Sequence, residues 1–532
     1  MTGSATVRPI LLLGTITVYN RFALLTILLA CLVSSAGAQA PQTRGSGPTM
    51  VLAIVVDQMR YDYLTRYGSE FHGGLKRLLD EGAVFSNANY EAAPTVTAVG
   101  HSTILSGATP SVSGIAGNTW YDRGEGKSVQ SITDDNVQAL GGGSGGASPQ
   151  RLLVSTIGDE LKIAGKGGKV YGVSLKDRSA ILPAGRMADG AFWFNAETGN
   201  FVSSTWYFTA LPAWADRFNA ERRADRFAGV QWLDTQLPTE TGATLYRELD
   251  ATPFADQLVL DFALTVLQEE QLGEDAKTDV LAVSFSAMDY VGHASGPDTP
   301  AMHDMVLTID DKVGQLLDAA ERQAGRGNVV VVFTADHGVS PVPEENVEKQ
   351  LPGGRYSAQA ERTAVENALS ATFGEGKYVE ANGEMGLYLS ADPVPGKAIP
   401  RAELERIAAD ALRQLPQVAR VYTRTQLTTT PQSGDRLDQR VRNGFHAGRS
   451  GDVLVVHEPY WLTGGPGGTT HGSPYSYDTH VPLIFFGPAT LVKAGQYHGE
   501  AAIHDIAPTL ANILNIAAPS GSLGRVLAEI LP

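Results

Sequence analysis

The chain has 532 residues, of which 43% are hydrophobic and 18% are charged, values typical of a folded, soluble protein and not of a disordered one. The length exceeds what one compact core usually holds, so two domains or one core with large insertions are expected. The net charge of −16 disfavours a nucleic-acid-binding surface, which needs a basic face, and an anionic substrate would have to be attracted by a local positive centre such as a metal ion.

The N-terminus has the features of a secretory signal. Arg21 precedes an apolar run at residues 22–33, and small residues of the A-x-A type follow it up to Ala40. This run is too short to span a membrane. We expect residues 1–40 to be a signal peptide, which leaves a mature chain without a transmembrane segment. Cys31, the only cysteine, lies in "LLACLV", which fits a lipoprotein box poorly, so a lipid anchor at Cys31 is the less favoured alternative.

Apolar runs typical of buried strands alternate with helical patterns along the chain. The runs are residues 51–56, 170–175, 280–285, 329–333 and 481–486, and the clearest helical pattern covers residues 301–324. This alternation predicts an α/β fold with a mostly parallel central sheet flanked by helices and with inserted cap segments. We predict a core formed by residues 48–190, 251–340 and 466–532, a small cap insertion at 191–250, and an inserted second domain at 341–465.

Acidic residues or histidines follow three of the predicted strands. In an open parallel sheet, ligands bind at the carboxyl ends of the strands. Asp289 and His293 are four residues apart, so they would share one face of a helical turn. A mature chain without cysteine must build any metal site from carboxylates and imidazoles, which suit one or two Zn²⁺ ions. The candidate ligands are Asp57, Asp289, His293, Asp336, His337 and His471.

These six residues, in this chain order, resemble the alkaline phosphatase superfamily of two-metal phosphoryl transferases. The resemblance extends from about residue 50 to residue 486, and it implies the fold of that superfamily and two Zn²⁺ ions per chain. His471 matches the "HG" segment of the family, and His480, in "YDTHVP", is the alternative. The implied ligands are Asp289, His293 and His471 for one ion, and Asp57, Asp336, His337 and the nucleophile for the other.

The nucleophile of this superfamily should lie downstream of Asp57, in a segment that offers the hydroxyl groups of Thr95, Thr97, Ser102 and Thr103. Thr97 matches best, because it opens a predicted helix over residues 97–105 whose amide dipoles would face an incoming phosphate. A threonine at this position also acts as an N-cap by default, and the two roles are compatible. Coordination to Zn²⁺ would make the Thr97 alkoxide accessible near neutral to alkaline pH.

Three further residues indicate how a phosphoryl group would be bound. Lys176 and Arg178 lie two residues apart at an apparent strand end, where alternation would direct both to one side. The amide of Asn118, in "GIAGN", can donate to an oxygen. These residues match the phosphate-binding trio of the periplasmic, threonine-nucleophile alkaline phosphatases. The resemblance therefore implies a periplasmic enzyme that hydrolyses small phosphate monoesters through a phosphothreonine.

Other members of the superfamily are alternatives. A nucleotide pyrophosphatase/phosphodiesterase that uses the same site is the main one, because it shares the threonine and the metals. A sulfatase needs a C/S-x-P-x-R segment, which the sequence lacks, and a cofactor-independent phosphoglycerate mutase would be cytoplasmic and use a serine. A non-catalytic zinc-binding protein would not need Thr97, Lys176 and Arg178. The sequence leaves the physiological ester and the oligomeric state open.

Overall fold

The computed structural model describes residues 47–532, which form one compact unit. The predicted signal peptide at residues 1–40, with Cys31, lies outside the described residues. Within residues 47–532, no helix is both long enough and apolar enough to cross a membrane.

The described residues form strands and helices that alternate over most of the chain. The strands are β1 Met50–Val56, β2 Ala83–Phe85, β3 Ala88–Asn89, β4 Thr119–Asp122, β5 Lys127–Gln130, β6 Ala139–Leu140, β7 Gly167–Ser174, β8 Gly190–Asn195, β9 Asn200–Ser204, β10 Gln231–Trp232, β11 Thr235–Gln236, β12 Thr278–Phe285, β13 Val329–Thr334, β14 Gly354–Arg355, β15 Val379–Asn382, β16 Gly386–Leu389, β17 Val418–Thr423, β18 Val453–His457, β19 Trp461–Leu462, β20 Leu483–Phe486, β21 Gly495–Tyr497 and β22 Ala501–Ala502. The α-helices are Asp62–Arg66, Gly74–Glu81, Thr97–Ser106, Pro110–Ser113, Ile157–Ile163, Asp177–Ala184, Ala213–Ala220, Ala243–Leu249, Pro253–Glu269, Ala287–Ser295, Pro300–Ala324, Pro343–Glu348, Ala358–Phe373, Arg401–Leu412, Arg424–Thr429, Arg436–Gly444, Ser476–Thr479 and Ile506–Leu514.

A ten-stranded mixed sheet lies at the centre of the fold, in the order β21-β2-β20-β13-β1-β12-β7-β8-β9-β6. Its middle is parallel, since β1 pairs in parallel with β12 and β13, and β12 pairs in parallel with β7. Every residue of β1, β12 and β13 is buried. Strands buried on both faces need apolar residues without polar alternation, which is why these runs could be recognised in the sequence.

The parallel register brings three chain segments together at one edge of the sheet. Val56 lies beside Phe285 at the ends of β1 and β12, and Val55 lies beside Thr334 at the end of β13. The residues that follow these strands therefore meet at the same edge, although the end of β1 is more than two hundred positions before the ends of β12 and β13 in the sequence. This edge carries the candidate site.

The first residues of the small cap insertion predicted at residues 191–250 pair with the central sheet. β8 pairs in parallel with β7, and β9 pairs antiparallel with β8, so residues 190–204 extend the central sheet. The aromatic residues that suggested a separate cap pack on the core: the ring centroids of Phe192 and Phe201 lie 5.1 and 4.2 Å from that of Phe262. The small cap insertion at residues 191–250 stays a prediction.

The segment proposed as a second domain, residues 341–465, contains a sheet of its own. This sheet has four strands in the order β15-β16-β18-β17, and all its pairings are antiparallel. Helices Ala358–Phe373 and Arg401–Leu412 cover it through a cluster that includes Val365, Leu369 and Leu404. The turn between β15 and β16 extends to the candidate site.

Candidate metal centre and active site

The predicted ligands are gathered into one cluster at the carboxyl edge of β1, β12 and β13, in which the three aspartates and His337 are buried and His293 and His471 are partly exposed. Among residues 47–532, two groups place their ligand atoms within 4.8 Å of one another. The first group is Asp289, His293 and His471, and the second is Asp57, Asp289 and His337. Asp336 joins the second group, since its Oδ2 lies 3.4 Å from Nε2 of His337.

The first group is oriented by backbone carbonyls. Nε2 of His293 lies 3.2 Å from Oδ1 of Asp289, and Nε2 of His471 lies 3.5 Å from the same oxygen. On the opposite side of each ring, Nδ1 of His293 lies 2.9 Å from the carbonyl oxygen of Thr469, and Nδ1 of His471 lies 2.7 Å from that of Thr95. With the ring proton on Nδ1, where it can be donated to the carbonyl, the lone pair of Nε2 would be on the side of Asp289, as a metal ligand requires.

The second group has buried polar atoms that nothing in the described chain satisfies. Oδ1 of Asp57, Oδ2 of Asp336 and Nε2 of His337 are buried without a well-formed hydrogen bond among residues 47–532, although Nδ1 of His101, which donates to the carbonyl oxygen of Thr97, lies 3.2 Å from Oδ2 of Asp336. A buried acceptor left unpaired costs about 1–3 kcal/mol, and more for a charged group. A cation bound by these three atoms would remove that cost, so this donor set fits a metal ion, and its nitrogen and oxygen ligands suit Zn²⁺.

The pKa values of this cluster reflect burial first and the neighbouring charges second. Burial and the neighbouring charge of Asp336 raise the pKa of Asp57 well above its usual value. Burial also acts to raise the pKa of Asp336, but His337 and His101 hold it low. Burial lowers the pKa of His337 to about 3, so this imidazole is neutral at neutral pH, the form that coordinates a metal.

Lys176 lies between the two ligand groups. Its Nζ donates to Oδ2 of Asp57 at 2.7 Å and to Oδ2 of Asp289 at 2.5 Å, and it lies 5.0 Å from the ring centroid of Tyr290. Although burial favours the neutral amine, the charges of Asp289 and Asp57 raise the pKa of Lys176, so the side chain is a buried ammonium. The predicted cation is therefore present, in contact with both groups.

The prediction that strand alternation directs Lys176 and Arg178 to one side is wrong. β7 ends at Ser174 and a helix begins at Asp177, so Arg178 lies in the first helical turn and strand alternation does not relate the two side chains. Nε of Arg178 is buried and has no hydrogen-bond partner in the described part of the chain. Its Nε is thus available to donate a hydrogen bond to an anion, and the side chain projects from a helix and not from a strand.

Thr97 is the first residue of the helix Thr97–Ser106, as predicted, and it is buried. Thr97 is not the N-cap of this helix, because the N-cap residue is Val96 and no side chain caps this helix end. The other three candidate hydroxyls each donate to a backbone carbonyl oxygen, namely those of Thr95, Ser102 and Thr103. Thr97 therefore remains the best candidate for the nucleophile.

Asn118 lies next to this helix. Its Oδ1 accepts a hydrogen bond from the backbone N–H of Ala98 at 2.9 Å. The oxygen of the amide is thus used to hold the helix end, and the Nδ2 group is the part that can donate to an anion.

His480, the alternative ligand, lies elsewhere: its Nε2 is 3.0 Å from the carbonyl oxygen of Ser86, and its ring stacks on Tyr61.

Gln58 is a residue of the cluster that the sequence analysis missed. Its backbone N–H donates to Oδ1 of Asp336 at 3.0 Å, and its Nε2 donates to Oδ1 of Asp289 at 2.5 Å. It has a φ of 68°, in the left-handed region that non-glycine residues rarely adopt. Room for its side chain exists because Gly292 has no Cβ, which would lie 1.7 Å from Oε1 of Gln58. No short-range sequence signal marks such a residue.

His101 also contacts this cluster. Its Nδ1 lies 2.9 Å from the carbonyl oxygen of Thr97 and 3.2 Å from Oδ2 of Asp336, and its Nε2 lies 2.8 Å from Oγ of Ser284. It therefore links the helix that begins with Thr97 to a ligand of the second group. Its position one turn after Thr97 is the only sequence signal that could have indicated this role.

Comparison with known proteins identifies the family of this chain. The sequence matches the family described as type I phosphodiesterase / nucleotide pyrophosphatase over residues 51–480. A protein named calcium-transporting ATPase from Myroides odoratus is 34% identical, over 91% of this chain and 95% of that protein. Alkaline phosphatase PhoV from Synechococcus elongatus is 34% identical, over 96% of this chain and 99% of PhoV. Alkaline phosphatase PafA from Elizabethkingia meningoseptica is 33% identical, over 95% of this chain and 98% of PafA.

The crystal structure of wild-type PafA has a TM-score of 0.84 with this structure and 32% sequence identity, and the match covers 91% of this chain and 99% of that chain. The chain belongs to the type I phosphodiesterase / nucleotide pyrophosphatase family within the alkaline phosphatase superfamily. It is an enzyme of the subgroup that contains PhoV and PafA. The resemblance and the α/β fold predicted from the sequence are both confirmed.

Proposed function

We propose that the enzyme is an alkaline phosphatase that hydrolyses small phosphate monoesters through a phosphothreonine, with two Zn²⁺ ions per chain. The observation that carries this proposal is the position of Lys176, whose ammonium contacts Asp57 and Asp289 between the two groups of ligands. The names of the relatives PhoV, PafA and PhoK, all alkaline phosphatases, support it.

Two ligand sets would hold the metal ions. Bound ions would stabilise charge on the phosphoryl and leaving oxygens and would lower the pKa of the nucleophilic hydroxyl. The unpaired atoms of Asp57, Asp336 and His337 support the second site. The sets are Asp289, His293 and His471 for one ion, and Asp57, Asp336 and His337, with Thr97, for the other.

The residues of this chain divide the reaction into two displacements. Oγ of Thr97 gives its proton to solvent and attacks phosphorus, so a bond forms between Thr97 and phosphorus as the bond to the leaving oxygen breaks, and that oxygen takes up a proton from water to leave as the alcohol. Water then attacks the phosphothreonine, which releases phosphate and restores the hydroxyl. In both steps the amides at the start of the helix Thr97–Ser106, Asn118, Lys176 and Arg178 would bind the phosphoryl oxygens.

The charges of the site favour a monoester over a diester. Two Zn²⁺ ions would bring about four positive charges, of which Asp57, Asp289 and Asp336 offset about three, and the alkoxide of Thr97 offsets about one more. Lys176 and Arg178 then supply about two positive charges, which match a monoester dianion better than a diester with about one negative charge. The nucleotide pyrophosphatase/phosphodiesterase remains the second candidate, because the matched family is named for that activity.

Steady-state kinetics on a paired aryl phosphate monoester and aryl phosphate diester test the proposed function. We expect kcat/KM for the monoester to exceed that for the diester by at least ~10²-fold, because two cations are matched to the additional negative charge. The same leaving group in both substrates serves as the control. A higher kcat/KM for the diester would overturn the monoesterase proposal in favour of the phosphodiesterase.

We also propose that the enzyme acts in the periplasm after cleavage of residues 1–40. The apolar run and the small residues that end at Ala40 support this. N-terminal sequencing of the exported protein should find a mature chain that starts at position 41, and a start upstream of Arg21 would contradict it.

A further inference from the structure

The turn between β15 and β16 brings an acidic residue to the phosphate-binding region. Glu384 lies in this turn, which is closed by a hydrogen bond of 2.6 Å from the N–H of Gly383 to the carbonyl oxygen of Gly386. The hairpin belongs to the four-stranded sheet within residues 341–465, not to the central sheet. Its tip therefore reaches the site from a separate part of the fold.

The carboxylate of Glu384 binds two consecutive backbone amides. Its Oε2 accepts from the N–H of Asn118, and its Oε1 accepts from the N–H of Thr119, both at 3.1 Å. The approach depends on Gly117, where a Cβ would lie 2.6 Å from Oε2 of Glu384. Because both oxygens are used at once, this contact fixes the orientation of the peptide segment as well as its position.

The other polar atoms of Asn118 are also fixed. Its Oδ1 accepts from the N–H of Ala98 at 2.9 Å, and its backbone carbonyl accepts from the N–H of Ser131 at 2.9 Å. Ala98 directly follows Thr97. A continuous path of hydrogen bonds thus runs from Glu384 through Asn118 to the first turn of the helix that carries Thr97. These bonds fix the orientation of the Asn118 side chain, and with it the direction in which Nδ2 points.

We propose that Glu384 is a positioning residue, which acts through Asn118 to orient its Nδ2 group toward a phosphoryl oxygen. The inference rests on the proposed function, since it requires Asn118 to contact the phosphoryl group. Without Glu384, the two amides would bind water and the segment of Asn118 would sample other orientations, so the contact to the transition state would be made less often. The hairpin of residues 379–389 thereby contributes to catalysis without touching the substrate.

A double-mutant cycle in the full-length, metal-loaded enzyme tests this role. Glu384→Ala should lower kcat/KM for an aryl phosphate monoester by about 10-fold, and Asn118→Ala by about 10- to 100-fold, the range for a hydrogen bond to a charged group. Glu384→Gln, which keeps one acceptor oxygen, should give a smaller loss. In the background of Asn118→Ala, adding Glu384→Ala should cost less than 2-fold, because the group through which it acts is already gone.

Two further measurements separate positioning from general stability. The inhibition constant of inorganic phosphate should rise in Glu384→Ala and in Asn118→Ala, and the double variant should show no further rise beyond that of Asn118→Ala. Glu380→Ala is the matched control, because Glu380 lies on the same hairpin and pairs with Lys377 instead. This control should keep the wild-type values of both constants.

The outcomes distinguish this inference from the proposed function. If Asn118→Ala loses activity while Glu384→Ala does not, or if the two losses multiply in the double variant, Glu384 does not act through Asn118 and the inference is wrong. If Asn118→Ala keeps full activity and full phosphate inhibition, the phosphate contact assigned to Asn118 is wrong, and the role of Glu384 fails with it.

Discussion

Replacing Thr97 by alanine should lower the turnover of an aryl phosphate monoester by at least ~10³-fold, because the covalent route is lost and only the binding groups remain. The hydroxyl is the one candidate in its segment that is not committed to a backbone carbonyl, as those of Thr95, Ser102 and Thr103 are. Steady-state kinetics would measure the loss. Acid quenching during turnover should trap phosphate on residue 97 in the wild type and none in the variant.

Ser102→Ala is the matched control for Thr97→Ala. It removes a hydroxyl from the same helix, and that hydroxyl donates to the carbonyl oxygen of Val99 at 3.0 Å. We expect Ser102→Ala to keep its turnover and to lose about 1 kcal/mol of stability, the usual contribution of one hydrogen bond. A Thr97→Ala variant that kept its fold, its zinc and most of its turnover would contradict the assignment of the nucleophile.

The double variant Lys176→Ala with Arg178→Ala should hydrolyse monoesters at least ~10⁴-fold more slowly, since each donor to a transition-state oxygen contributes about 10²- to 10³-fold. The loss for a diester with the same leaving group should be smaller by at least ~10-fold, because a diester presents less negative charge to these two cations. The ratio of the two kcat/KM values is the measurement.

Lys169→Ala is the control for the Lys176 and Arg178 variant. Lys169 lies on β7, upstream of Lys176, and its ammonium pairs with Glu270 at 2.9 Å instead of with a predicted metal ligand. Lys169→Ala should leave kcat/KM for both the monoester and the diester unchanged. Equal losses on monoester and diester in the double variant would show that the two cations do not select the substrate.

The sequence was sufficient to bring together the predicted ligands that directly follow buried strands. Asp57 follows β1 and Asp336 follows β13, and both strands are apolar and β-branched runs whose ends are easily read. Parallel pairing then requires these ends to meet. His471, which lies in a loop before β20, could be assigned only through the family resemblance, and its contacts with Asp289 came from the structure.

Other features depended on contacts that local patterns do not encode. Glu384 is 266 positions away from Asn118, and nothing in its own segment marks it as part of a site. The sequence does not show whether Phe192 and Phe201 face a cap or the core, because both rings pack against Phe262, which is distant in the sequence. The spacing of two residues between Lys176 and Arg178 suggested the end of a strand, whereas Arg178 lies in the first turn of a helix.

The central claim is that the buried carboxylates and imidazoles hold two cations that activate Thr97. The most direct test is the metal content per chain of the purified enzyme, measured together with phosphatase activity before and after chelation. We expect two zinc ions per active chain, loss of activity when they are removed, and recovery when Zn²⁺ is returned. An active enzyme with one ion or none per chain, or full activity after complete removal of metal, would contradict the account.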